Sequence, residues 1–140
     1  MRYIITVDLG ATKTIVGLIR DNKIIKKLKF HTQNENYKLV LKDLLDNIDV
    51  ISINIEKKDI KFIVIGVASP VENSQGIIIN APNINGFKKI NLKKIIESRF
   101  NIPTIIENDV KLQSLGEYSI NQKYNSLFCI SIGTGIGGSL

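Results

Sequence analysis

The 140-residue chain contains one cysteine, one histidine, one methionine, three prolines and no tryptophan. Cys129 alone closes no internal disulfide, which fits a reducing compartment. With His31 as the single imidazole, the usual soft ligands of a zinc site cannot be assembled from this chain. No apolar run approaches the roughly 20 residues that cross a bilayer, and Asp8 stands where a signal peptide would be apolar. The expectation is a cytoplasmic protein without a membrane partner. Arginine is scarce, and the lysines fall in scattered pairs (Lys26-Lys27, Lys57-Lys58, Lys88-Lys89, Lys93-Lys94) with no aromatic residues interleaved for base stacking. The net charge of +6 therefore reads as a solvated lysine surface and not as a nucleic-acid footprint.

What remains is ordinary globular composition, 44% hydrophobic and 23% charged, enough for one packed domain or one domain and a stub. Short β-branched runs at residues 3–7, 15–19 and 24–30, separated by polar turns, predict a three-stranded meander, with lysine alternating into the third strand as on a solvated edge. From Asn34 the apolar residues recur at three- and four-residue steps (Tyr37, Val40, Leu41, Leu44, Leu45, Ile48, Ile51), which predicts an amphipathic helix capped by Asn34 or Asn36. Residues 62–67 and 76–80 read as strands, 81–87 as an irregular loop, 92–100 as a helix and 104–106 as a strand. A third helix follows, capped by Asn108 or Asp109, and residues 127–132 form a last strand before a glycine-rich loop. A meander followed by helix-strand alternation implies an α/β fold: a mixed sheet with helices on its faces.

Three segments carry chemistry. In Asp8-Leu9-Gly10-Ala11-Thr12-Lys13, a glycine turn brings backbone N–H groups close to an anion, Thr12 adds a hydroxyl, Lys13 a cation, and Asp8 is placed to hold Mg²⁺ through water. A solvated hairpin turn is the plainer alternative. Gly133, Gly135 and Gly138 formally match G-x-G-x-x-G, but no helix and distant acid follow, so only the capacity of a glycine-rich strand end to face phosphate oxygens survives. The absence of G-x-x-x-x-G-K-[ST] excludes a P-loop. Asp109 stands at a helix start, where the dipole favours its ionised form and suits it to orient a hydroxyl; a cap with no further role is the alternative. Each segment closes a different predicted strand, so all three can meet at one sheet edge, where open α/β folds bind ligands.

In this order and spacing the chain resembles the sugar-kinase branch of the repressor/ORF/kinase (ROK) family, within the actin-like, hexokinase-like superfamily. The resemblance is collinear over nearly the whole chain. Residues 8–13 look like its first phosphate motif, 66–71 like its G-x-P-G-P-V segment, Ala81-Pro82-Asn83 like its sugar loop, Glu107-Asn108-Asp109 like its catalytic motif, and 132–138 like its second phosphate motif. The resemblance implies an actin-like, ribonuclease H-like lobe over residues 1–120, with 121–140 opening a second lobe. It further implies ATP-dependent phosphorylation of a hexose or amino sugar. Asp109 would be the catalytic base, Asn83 and Asn108 would bind sugar hydroxyls, and Asp8 would serve Mg²⁺. Gly10, Thr12, Lys13, Gly133, Thr134, Gly135 and Gly137 would lie near the phosphates.

Three departures mark this sequence. Ala11 replaces a glycine, which is tolerable where φ is negative; Ala68-Ser69 replaces Pro-Gly; and Lys111 stands where these kinases often carry Asn. The family's second lobe supplies the adenosine contacts and a zinc cluster, and little of it falls within these residues. The 140 residues alone are therefore expected to be inactive, and the strand at 127–132 to lack neighbours, inviting self-association or a complementing second-lobe chain. A sugar-sensing regulator of the same family and a non-catalytic remnant are the alternatives.

Overall fold

The computed structural model describes residues 2–120, 123, 125–132 and 136–140. The chain opens with β1 (Tyr3–Leu9), β2 (Lys13–Arg20) and β3 (Lys23–His31), each antiparallel to the last. Asp21 and Asn22 turn the second hairpin with φ of 50° and 59°, the left-handed pair that a tight two-residue connection requires. Helix α1 (Tyr37–Ile51) leads to β4 (Ile60–Val67), which pairs parallel with β1. Three short strands follow, β5 (Val71–Glu72), β6 (Ile77–Asn80) and β7 (Lys88–Asn91), and form a separate antiparallel sheet. Helix α2 (Leu92–Phe100) then leads to β8 (Thr104–Asn108), parallel to β4, and β8 runs directly into α3 (Asp109–Ile120). The main sheet is mixed and five-stranded, in the order β3-β2-β1-β4-β8. A hairpin of β9 (Cys129–Ile132) and β10 (Ile136–Ser139) ends the described chain.

Alternation along each strand sorts the side chains between the two faces. Ile5, Val7 and Leu9 of β1 and Ile63, Ile65 and Val67 of β4 are buried, in one core with Val40, Leu44, Ile48 and Ile51 of α1 and Leu92, Ile96 and Phe100 of α2. The intervening residues, Thr6 and Asp8 on β1 and Val64 and Gly66 on β4, face the other side, where α3 packs: a Cβ on Gly66 would sit 3.1 Å from Leu112 Cδ1. β3 is the edge strand, and its lysines are exposed or half-exposed, as the alternation predicts.

Asparagine side chains fix the starts of α1 and α2. Asn36 accepts the Lys38 N–H at 3.0 Å and caps α1; Asn91 accepts the Lys94 N–H at 2.9 Å and caps α2. Asn36→Ala is expected to cost about 1 kcal/mol, read as a lower urea midpoint at unchanged slope. Asn34, the other cap expected for α1, has a different task, described below.

Several elements depart from expectation. β5 and β7 were not predicted, because two and four residues are too few to show a period; hydrogen bonding to β6 makes them strands. β1 extends through Asp8 and Leu9, which pair with Ile15 and Thr14, so the turn shrinks to Gly10–Thr12 and Asp8 lies in a strand. β9 is two residues shorter at its start than expected and has a neighbour: Ile136, Gly137 and Gly138, read as part of a glycine loop, pair with it as β10. Gly137 belongs there because a Cβ would come within 2.6 Å of Val110 Cγ2 on α3. The hairpin turns Phe128, Ile130, Ile132 and Ile136 outward, each at least 62% exposed.

Candidate functional site

Parallel pairing of β1, β4 and β8 brings their C-terminal ends to one edge of the main sheet. Asp8 lies opposite Gly66, and Gly66 opposite Glu107, so the acid before the first turn and the acid-rich end of β8 are two strands apart. Glycine at 66 keeps the ground between them low. A Cβ there would stand 3.5 Å from Asp109 Cα and 3.7 Å from Asp109 Cβ. The result is a groove of about 430 Å³ lined by Thr6, Asp8, Gly66, Asp109, Leu112 and Gln113, among others.

The turn Gly10–Thr12 is oriented by its carbonyls. Thr32 donates its hydroxyl to Gly10 O at 2.9 Å and its N–H to Thr12 O at 3.0 Å, and Asn34 donates its side-chain amide to Ala11 O at 3.1 Å. Thr32 Oγ1 is itself 2.8 Å from Thr14 Oγ1 in the core. With all three carbonyls engaged on that side, the Ala11 and Thr12 N–H groups find no partner among the described residues. Backbone donors left without a protein partner in a turn held by its carbonyls are what an anion cradle requires. Ala11 is not among the residues with positive φ, so its Cβ is accommodated without strain. Gly10 is required for a different reason: a Cβ would lie 2.7 Å from Lys13 O, the carbonyl that accepts its own N–H at 3.2 Å. Thr12 and Lys13 are exposed at the turn.

The Asp8 carboxyl is held above its ordinary value of 3.8, first by lost hydration in the groove and next by the Asp109 charge, with Lys13 pulling the other way. The effect concerns the carboxyl group, since much of the residue's surface is open to solvent. The folded state thus binds this proton more tightly than the unfolded chain. Its contribution to stability is full below the ordinary pKa and is lost as pH rises through the folded-state pKa. Asp8→Asn is accordingly expected to gain stability on the wild type as pH climbs from about 3 to about 7. Urea midpoints of the two proteins at both pH values check it, and a difference that does not grow with pH contradicts it.

At the start of α3, Asn108 Oδ1 accepts the N–H groups of Val110 and Lys111 at 3.1 and 3.2 Å, so Asn108 is the cap, while Asp109 Oδ1 accepts only the Val110 N–H at 2.9 Å. The Asn108 amide also donates to Ser69 O at 3.3 Å. These contacts occupy most of a side chain expected to meet sugar hydroxyls. Asn83 lies exposed in the turn after β6 and does not line the groove. That turn is nevertheless tied to the first: Asn85 donates its N–H to Asn34 O at 2.8 Å, and the Asn34 side chain holds Ala11. Gly133, Thr134 and Gly135 lie outside the described residues.

Thr32, Asn34 and Glu107 are the residues of this region to which the sequence assigned no role here. Thr32 carries no local signal, Asn34 reads as a helix cap, and Glu107 reads only as the first residue of the Glu107-Asn108-Asp109 motif, with no task of its own. Among the described residues, no three His, Cys, Asp or Glu side chains converge as a metal cage, and no helix is long and apolar enough to cross a membrane.

The ROK family model matches residues 4–140. The chain is 33% identical to an uncharacterized protein of Clostridium perfringens over 96% of its own length and 46% of that protein's. It is 29% identical to a glucokinase of Streptomyces coelicolor over its whole length and 44% of the enzyme's, and 29% identical to a xylose repressor of Bacillus spizizenii over 96% of its own length and 36% of the repressor's. Among solved structures, a ROK family glucokinase from Streptomyces griseus in complex with glucose and AMPPNP superposes with a TM-score of 0.85 at 27% identity, over 97% of this chain and 43% of that one. The fold is thus the actin-like α/β fold expected, and the chain spans less than half the length of these relatives.

Proposed function

This chain belongs to the ROK family, and from that premise we propose that it supplies the catalytic acid and the first phosphate turn of an ATP-dependent sugar kinase, glucokinase-like or acting on an amino sugar, in the cytoplasm. The observation that supports this reading most is the groove shared by Asp8 and Asp109, where Asp8 precedes by two residues a turn whose carbonyls are engaged and whose Ala11 and Thr12 amides have no partner among the described residues, although no residue of the turn lines the groove itself. Residues 1–120 form one lobe in this reading, and 121–140 open the next.

Phosphoryl transfer asks a protein mainly to position reactants and to neutralise charge. Asp109, fixed at the first turn of α3, takes the proton of the sugar hydroxyl as that oxygen attacks the γ-phosphate. The phosphates lie against the free amides of the first turn, with the Thr12 hydroxyl and the Lys13 ammonium beside them and Gly10 permitting the close approach. The family's second phosphate motif, Gly133, Thr134 and Gly135, is proposed to add further phosphate contacts, whereas Gly137 is paired within β10 against Val110. Asp8 would hold Mg²⁺ through water: its carboxylate lines the groove, where lost hydration first and the Asp109 charge next raise its proton affinity, and a cation there would offset both. When bound, Mg²⁺ supplies charge neutralisation on the phosphate oxygens. Asn83 and the remaining N–H of the Asn108 amide bind sugar hydroxyls.

The test is ADP release by the natural gene product over a panel of hexoses and amino sugars, with and without Mg²⁺. Turnover with at least one sugar is expected, and its absence across the panel refutes the reading. The 29% identity to a xylose repressor favours a second reading, a sugar-sensing regulator. Sugar binding without any ADP release, together with sugar-dependent DNA binding, would establish that one instead.

A further inference from the structure

We propose that Glu107 is a positioning residue: through Asn73 it fixes the small sheet that carries the Asn83 turn against the strand that leads into Asp109. Its catalytic consequence rests on the sugar-kinase reading above, while the strut itself is a feature of the fold.

Glu107 is the penultimate residue of β8, and its side chain is only 20% exposed. Its carboxylate meets three donors from three places. Oε2 accepts the side-chain amide of Asn73 at 2.5 Å; Oε1 accepts the Asn108 N–H at 2.7 Å and lies 3.5 Å from Lys111 Nζ, one turn along α3. Asn73 sits in the turn between β5 and β6, closed by Gln75 and Gly76 N–H groups on Glu72 O. β6 then runs straight into Ala81-Pro82-Asn83. The small sheet shares no ladder with the main one; Ile78 seats it in the common core, the Asn85 N–H on Asn34 O anchors the far end of the Asn83 turn, and among the described residues two side-chain ties hold it to the end of β8. One is Asn73 to Glu107. The other is Ser69, whose O accepts from Asn108 at 3.3 Å and whose hydroxyl donates to Asn80 O at 2.9 Å. The Asn73 bond is much the shorter link to β8 and is made to a charged acceptor, hence the stronger.

The chemistry requires a carboxylate. Both oxygens of Glu107 accept, and a glutamine would turn an N–H₂ toward the N–H₂ of Asn73 or toward the Asn108 N–H. Lys111 also gains a function: it balances the Glu107 charge beside Asp109. A displacement of about 1 Å at the Asn83 side of that turn, with its Asn85 end still held on Asn34 O, is enough to spoil sugar alignment while leaving the nucleotide side in place.

The test uses Asn73→Ala, Glu107→Gln and the double variant Glu107→Gln/Asn73→Asp, in which the new carboxylate accepts from the new amide. Asn73→Ala is expected to raise KM for the sugar about tenfold with kcat and KM for ATP within about twofold. Glu107→Gln raises sugar KM likewise, and the double variant recovers most of the loss. Parallel changes in kcat and both KM values, a fall in melting temperature alone, or a double variant no better than Glu107→Gln would overturn the proposal. A second measurement needs no turnover: amide exchange at Ala81 and Ile84, whose N–H groups donate to Phe87 O and Ala81 O, is expected to speed up in Asn73→Ala and slow again in the double variant. If the wild type phosphorylates no sugar, the kinase reading fails and exchange alone decides; unchanged exchange overturns the strut.

Discussion

Asp109→Asn is expected to lower kcat for sugar phosphorylation by about a thousandfold or more while leaving the Kd for sugar within about threefold. The two side chains have the same shape, and the asparagine oxygen can still accept the Val110 N–H that Asp109 Oδ1 accepts at 2.9 Å. The helix start survives in any case, because Asn108, not Asp109, holds both the Val110 and Lys111 N–H groups. What is lost is the ability to take a proton, which acts only as the hydroxyl attacks, so the cost falls on kcat and not on ground-state binding. The same substitution removes a charge that raises the proton affinity of Asp8. Titration of Asp8 by carboxylate NMR should therefore move downward in the variant, an independent sign that the two acids share the groove. Turnover within tenfold of wild type would remove Asp109 from its role.

Gly10→Ala is expected to weaken Mg-nucleotide binding about ten- to a hundredfold and to cost about 1–3 kcal/mol of stability, with sugar affinity unchanged. A methyl group at position 10 meets the Lys13 carbonyl at 2.7 Å, and that carbonyl belongs to the backbone, which cannot swing aside as a side chain would. Relief requires opening the turn, which breaks the Gly10 N–H bond to Lys13 O and drags Gly10 O from the Thr32 hydroxyl. The Ala11 and Thr12 amides, which have no partner among the described residues, then lose the carbonyl bonds that hold their turn in place. Ala11→Gly makes the contrast: position 11 has no positive φ to relieve, so the change adds only chain entropy, a loss of at most about 1 kcal/mol. Calorimetry with a non-hydrolysable nucleotide and urea midpoints on both variants check the pair. Equal effects at positions 10 and 11 would show that the turn does not depend on close approach at Gly10.

The legibility of this protein follows the length scale of each signal. Helix α2 coincides with its predicted span, residues 92–100, and α1 with its three- and four-residue spacing, because an amphipathic face repeats often enough to be seen. The meander and the parallel strands were equally visible as apolar runs between turns. β5 and β7 were hidden because a strand of two or four residues acquires its identity from the partner it bonds to. β10 was hidden because Gly137 and Gly138 look like a loop until β9 pairs with them and α3 leaves no room for a side chain.

Of the candidate site, the sequence by itself determined the chemical inventory: two acids at the ends of different strands, a turn rich in donors, and the helix that opens at Asp109. Local composition suffices for that, since residue types and spacings are written along the chain. Only the tertiary structure decided that Asp8 and Asp109 share one groove, that the Ala11 and Thr12 amides have no partner among the described residues, and that Glu107 reaches Asn73 across 34 residues. Those facts depend on the parallel register of β1, β4 and β8 and on hydrogen bonds between residues distant in sequence. No local pattern encodes such contacts, because they exist only after the sheet has closed.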